Sequence, residues 1–159
     1  MNKPPVALGV VDAEGVLRRL FVGATVNGLR FGVLQLLFDA HEPGEPYLNL
    51  ASNWRTFETR PPEFPDLDQF ESEPSDLEVA RAVTLRHKQV TSVEVLAPWP
   101  HLVITFTDET LLFLNGKDMQ YEPWTAGLSN VPTKDQVQVI ACPGGQLALL
   151  LPNGGANEA

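Results

Sequence analysis

The feature that most constrains this chain is alternation. In "LVITFT", Leu102, Ile104 and Phe106 fall on one side of an extended backbone, with Val103, Thr105 and Thr107 on the other. A half-buried strand requires that period of two, because successive side chains point to opposite faces. Thr107-Asp108-Glu109-Thr110 then turns the chain tightly into a second apolar run, Leu111–Leu114, as a hairpin does. An earlier passage follows the same plan. Leu34, Leu36 and Phe38 alternate with Val33, Gln35 and Leu37, and a wider Pro- and Gly-rich connection, "DAHEPGEP", leads to Leu48–Leu50.

These passages belong to two similar stretches, 25–57 and 89–124. Val26 matches Val90, Phe38 matches Phe106, Leu48–Leu50 match Leu112–Leu114, and Trp54 loosely matches Trp124. Two copies are too few for a solenoid. The expectation is one domain over 1–152 with two similar halves, about 22–57 and 86–124. An acidic, Pro-rich segment, 58–78, joins them, and a flexible tail, 153–159, follows. Ser75-x-x-Glu78 has the form of a capping box. It predicts one short helix from about Asp76 to Arg86, with Leu77, Ala80 and Val83 on one face. Residues 6–22 read as a hairpin turning at "DAEG", and "QVQVIACPGGQLALLLP" as a closing hairpin. In the latter, Pro143 and Gly144 suit the two central positions of a type II turn. The fold class is therefore α+β and β-dominated: antiparallel sheet from two three-stranded units, one short helix and a C-terminal hairpin.

Length and charge narrow the function classes. A chain of 159 residues buries roughly 68–70% of its unfolded surface and needs no staple. One cysteine forms no internal disulfide, and the N-terminus lacks the apolar core of a signal peptide, so a cytoplasmic location is expected. No apolar run reaches the ~20 residues of a membrane span. The net charge of −9 is concentrated: residues 61–78 carry seven acids and no base, and outside them 13 acids face 11 bases. Such a surface disfavours direct contact with nucleic acid or anionic membrane and suits a basic protein partner. It also suits a solvated linker.

Candidate chemistry is sparse. Cys142 lies far in sequence from His41, His87 and His101, whereas a nucleophilic thiol needs a nearby base. It reads as a packed strand residue. Pro143-Gly144-Gly145 lacks the further glycines, lysine and helix of a phosphate loop. No zinc or calcium spacing occurs, so no catalytic residue, cofactor or metal is expected. The aromatics are more informative, since Trp and Tyr serve as interface anchors. Trp99, stiffened between Pro98 and Pro100, is the candidate exposed anchor, and Tyr121 a second. With Glu63, Asp66, Asp68, Glu71 and Glu73 they form the candidate partner-binding set.

From about Gln89 to Leu151, "YEPW" followed by "ACPGGQLALL" resembles a family of small uncharacterised bacterial proteins, similar in style to the immunity proteins that neutralise polymorphic toxins. The resemblance implies a non-catalytic inhibitor that occludes a basic toxin or nuclease. Two other readings stand beside it: a small-ligand or enzymatic domain with a pocket between the halves, and a homodimerising structural protein.

Overall fold

In a computed structural model the described residues are 6–7, 10–40 and 43–152. Among them the chain forms β1 (Val6–Ala7), α1 (Val10–Phe21), β2 (Thr25–Arg30), β3 (Gln35–Asp39), β4 (Glu45–Leu50) and β5 (Trp54–Phe57). There follow α2 (Ser75–Val83), β6 (Val90–Val95), β7 (Leu102–Phe106), β8 (Leu111–Leu114), β9 (Trp124–Ser129), β10 (Gln138–Ala141) and β11 (Leu147–Leu150). The strands build two antiparallel sheets, ordered β1-β11-β10-β9-β4-β3-β2 and β5-β8-β7-β6. The fold is β-dominated α+β, closed by a C-terminal hairpin. Within that hairpin Gly145 N–H donates to the Cys142 carbonyl and Gly144 sits at φ 84°, which favours glycine.

Each meander hands its fourth strand to the other sheet. β2-β3-β4 runs as one meander, but the strand after it, β5, pairs with β8. β6-β7-β8 runs as the second, and the strand after it, β9, pairs with β4. The registers agree pair by pair. Val26 faces Phe38 where Val90 faces Phe106, each followed by a one-residue bulge. Trp54 faces Leu114 where Trp124 faces Leu50. The first strands of the meanders meet antiparallel at Thr25 and Gln89. Gly23 N–H donates to the Val90 carbonyl as His87 N–H donates to that of Val26, and Val90 N–H donates to Ala24 as Val26 N–H donates to Lys88. Exchanging the halves maps this hydrogen-bond set onto itself, so the two halves are related by a local twofold axis at that crossing.

The alternating residues sort between two cores. Leu36, Phe38, Leu48 and Leu50 of one sheet pack with Leu102, Ile104, Phe106, Leu112 and Leu114 of the other. Val103, Leu111 and Phe113 face the opposite way, under Leu67, Phe57 and Phe64, whose ring stacks on Phe113 at 4.4 Å. The acidic segment thus covers the outer face of the four-stranded sheet, and its apolar residues bind it there.

Three local expectations are corrected. Val10–Phe21 is a helix, where the sequence predicts a hairpin turning at "DAEG". Ala13, Val16, Leu17 and Phe21 recur at helical spacing and are buried, and Arg18 and Arg19 suit the negative C-terminal end. Helix α2 begins at Ser75 and ends at Val83, and Pro74 precedes it with no side-chain cap, so the capping box does not form. Its inward face carries Ala82 with Leu85 beyond it, while Leu77 and Val83 are exposed. The tail 153–159 lies outside the described residues.

Candidate functional site

A cleft of about 620 Å³ opens where the two halves exchange strands. Its floor is the β4–β5 crossover, with Ser52, Asn53 and Trp54, beside Asn115 and Lys117 of the β8–β9 crossover. Ser52 Oγ–H donates to the Asn115 carbonyl at 2.5 Å, and Asn115 N–H to that of Asn53 at 2.9 Å, tying the crossovers together. One wall is the β2–β3 turn, where Phe31 and Val33 are 76% and 60% exposed. The other is the acidic segment running into α2.

That wall is held by charge. Glu73 Oε1 accepts from Arg81 and lies 3.6 Å from Arg55, while its Oε2 is buried without a hydrogen-bond partner. The Arg81 hydrogen bond holds the Glu73 carboxyl below the ordinary carboxylate range; burial opposes this, and the two arginine charges add to it. Both guanidiniums also lie over rings, Arg55 over Phe70 and Arg81 over Trp54. Trp54, only 2% exposed, lines the cleft and donates its indole N–H to Glu78 at 2.8 Å.

The expected partner-binding residues divide. Glu63, Asp66 and Glu71 are exposed, Asp66 also accepting from Asp68 N–H at the start of a short 3-10 turn. Asp68 lines the cleft but accepts from Asn115 Nδ2–H at 2.9 Å and sits 3.7 Å from Lys117. Glu73 is committed to the arginines. Trp99 is half-buried: Lys117 Nζ stands 5.6 Å from its ring centre, and its indole fits so closely to Gly145 that a Cβ there would lie 3.0 Å away. Tyr121 is 71% exposed on the β8–β9 crossover; it does not line the cleft itself, but its N–H donates at 2.8 Å to Asp118, which does.

Residues expected to be chemically quiet have clear surroundings. Burial, and secondarily the Glu122 charge, push the Cys142 thiol above its ordinary value, against thiolate chemistry. Burial pushes His101 down, partly offset by Asp68 and Asp66, and its Nδ1 accepts Gly116 N–H at 2.9 Å. His41 lies outside the described residues. Among the described residues the cleft lining holds no histidine or cysteine, and no group of three His, Cys, Asp or Glu is placed to hold a metal ion. No helix among them is long and apolar enough to cross a membrane.

No family model, curated protein or solved structure matches this chain. The site therefore has to be read from its own residues. Sequence reasoning missed Phe31, Val33, Arg55 and Arg81. Phe31 and Val33 resemble strand residues until the turn between β2 and β3 is placed, and neither arginine belongs to a recognisable motif. Their common signal is that all four line one cleft, which only the fold supplies.

Proposed function

We propose that this chain is a non-catalytic protein-binding module that acts in the cytoplasm, with the immunity-like inhibition of a basic toxin or nuclease as its specific form. The observation that carries the reading is the folded acidic segment. Glu63, Asp66 and Glu71 are exposed on a stretch anchored by Leu67 and Phe64, and the same stretch reaches the wall of an open cleft at Asp68, Ser72 and Glu73. A fixed carboxylate surface beside exposed Phe31, Val33 and Phe70 pairs long-range steering with apolar contact. Asp68 and Glu73 hold the wall in place, and Trp99 packs on Gly145 beneath Lys117.

Charge reversal tests this directly. With a partner purified from the native host, the triple variant Glu63→Lys, Asp66→Lys, Glu71→Lys is expected to slow association at least about tenfold at low salt. The difference should shrink at high salt. An unchanged association rate at low salt contradicts acidic steering.

A second reading has one observation behind it: the cleft volume lies in the range of small-molecule sites. A polar ligand there would raise the melting temperature with the logarithm of its concentration above the dissociation constant, and the charge-reversed surface would leave that rise unchanged.

A further inference from the structure

The cleft has a twin in the other half of the molecule, and the twin is filled. The local twofold relates the β2–β3 turn, Phe31–Leu34, to the longer stretch Val95–Leu102, which runs from the last residue of β6 through the connecting loop to the first residue of β7. It also relates Trp54 to Trp124. The offset from Val26 to Val90 likewise takes Glu14 of α1 to Glu78 of α2. In the second half, Pro100 is buried and its carbonyl accepts the Trp124 indole N–H at 2.8 Å. Gly116 presses on that segment so closely that a Cβ would overlap the Pro100 carbonyl and lie 2.7 Å from His101 N. Glu14 is engaged by the Val95 amide at 2.9 Å. In the first half the shorter turn supplies no such segment. The Trp54 indole turns to Glu78, Phe31 and Val33 stand exposed, and the place beside Trp54 is open.

We propose that the cleft receives an extended segment of the partner protein carrying proline beside an aromatic residue, with one of its carbonyls displacing Glu78 from the Trp54 indole N–H and accepting it as Pro100 does for Trp124. This rests on the protein-binding reading and adds the chemistry of the docking segment. A proline-bearing segment is already extended, so it gives up little entropy on docking, and its apolar side chains cover Phe31 and Val33. Cations flanking it are attracted by Glu63, Asp66 and Glu71, exposed on the acidic segment that supplies the wall. The chain's own Pro98-Trp99-Pro100 is the internal template.

The test is a titration followed by the two indole N–H resonances of Trp54 and Trp124. The probes are two capped peptides of equal charge, Lys-Ala-Pro-Trp-Pro-Lys and Lys-Ala-Gly-Ser-Gly-Lys. The first is expected to move the Trp54 indole saturably and leave Trp124 in place. Phe31→Ala and Val33→Glu should each weaken it at least about tenfold, whereas Val22→Glu, outside the cleft lining, should not. An unmoved Trp124 resonance in each variant certifies its fold. Equal binding of both peptides overturns the proposal while acidic protein binding stands. A stationary Trp54 indole at saturating or millimolar peptide overturns it too, and the partner's response to charge reversal judges the protein-binding reading separately.

Discussion

Replacing Glu73 by alanine strikes the ion pairs that hold the acidic wall against α2 and β5. Its side chain is 21% exposed, with Arg55 and Arg81 at 21% and 24%, so the pairs are partly desolvated. A hydrogen bond to a charged group contributes about 1.5–3 kcal/mol, and breaking a fully buried pair costs about 3–5 kcal/mol. Partial exposure lowers the second figure, and losing an unpartnered Oε2 returns some desolvation energy. The expected loss is about 2 kcal/mol, or about 4–8 °C of melting temperature for a chain this long. The pH dependence follows from linkage. Glu73 titrates lower folded than unfolded, so its stabilisation is present above the unfolded carboxylate range. It is lost as pH falls through the folded value. Urea unfolding followed by tryptophan fluorescence should therefore separate wild type from Glu73→Ala by about 2 kcal/mol near pH 7, with the gap closing below about pH 4. Equal stability at neutral pH, or a gap undiminished in acid, refutes the reasoning.

Gly15 is exposed inside α1, and a Cβ added there would meet nothing within 4 Å, so Gly15→Ala should stabilise by about 1 kcal/mol in the same unfolding assay. Gly116→Ala drives a methyl group into the Pro100 carbonyl and should destabilise by about 3 kcal/mol. It should also displace the Trp124 indole resonance. Hydrogen bonds from Lys88 and then Thr110 hold Asp108 down to about 2. An NMR titration of its carboxyl carbon should show that midpoint in wild type and a higher one in Lys88→Met.

The strands were legible because each buries one face against the main core and shows the other to a different environment, which writes alternation directly into Leu34–Phe38 and Leu102–Phe106. Helix α1 was obscured by Gly15, a poor helix former inside an otherwise regular spacing of Ala13, Leu17 and Phe21. Packing of that apolar face outweighs the glycine. The exchange of β5 and β9 between sheets was not legible. Trp54 and Trp124 each follow a crossover, and nothing local states which sheet receives the next strand. The acidic segment showed its charge but hid its anchors, Phe64 and Leu67, among the carboxylates. The cleft assembles Phe31, Trp54, Glu73, Arg81 and Lys117 across most of the chain, so its geometry arises only from the exchange.

The most direct measurement of the central claim is amide hydrogen exchange on the complex with the purified partner. Protection concentrated at residues 31–34 and 66–73, on the two walls of the cleft, is the expected result. Protection confined to the β10–β11 hairpin and α1, with both walls exchanging as in the free protein, would contradict it.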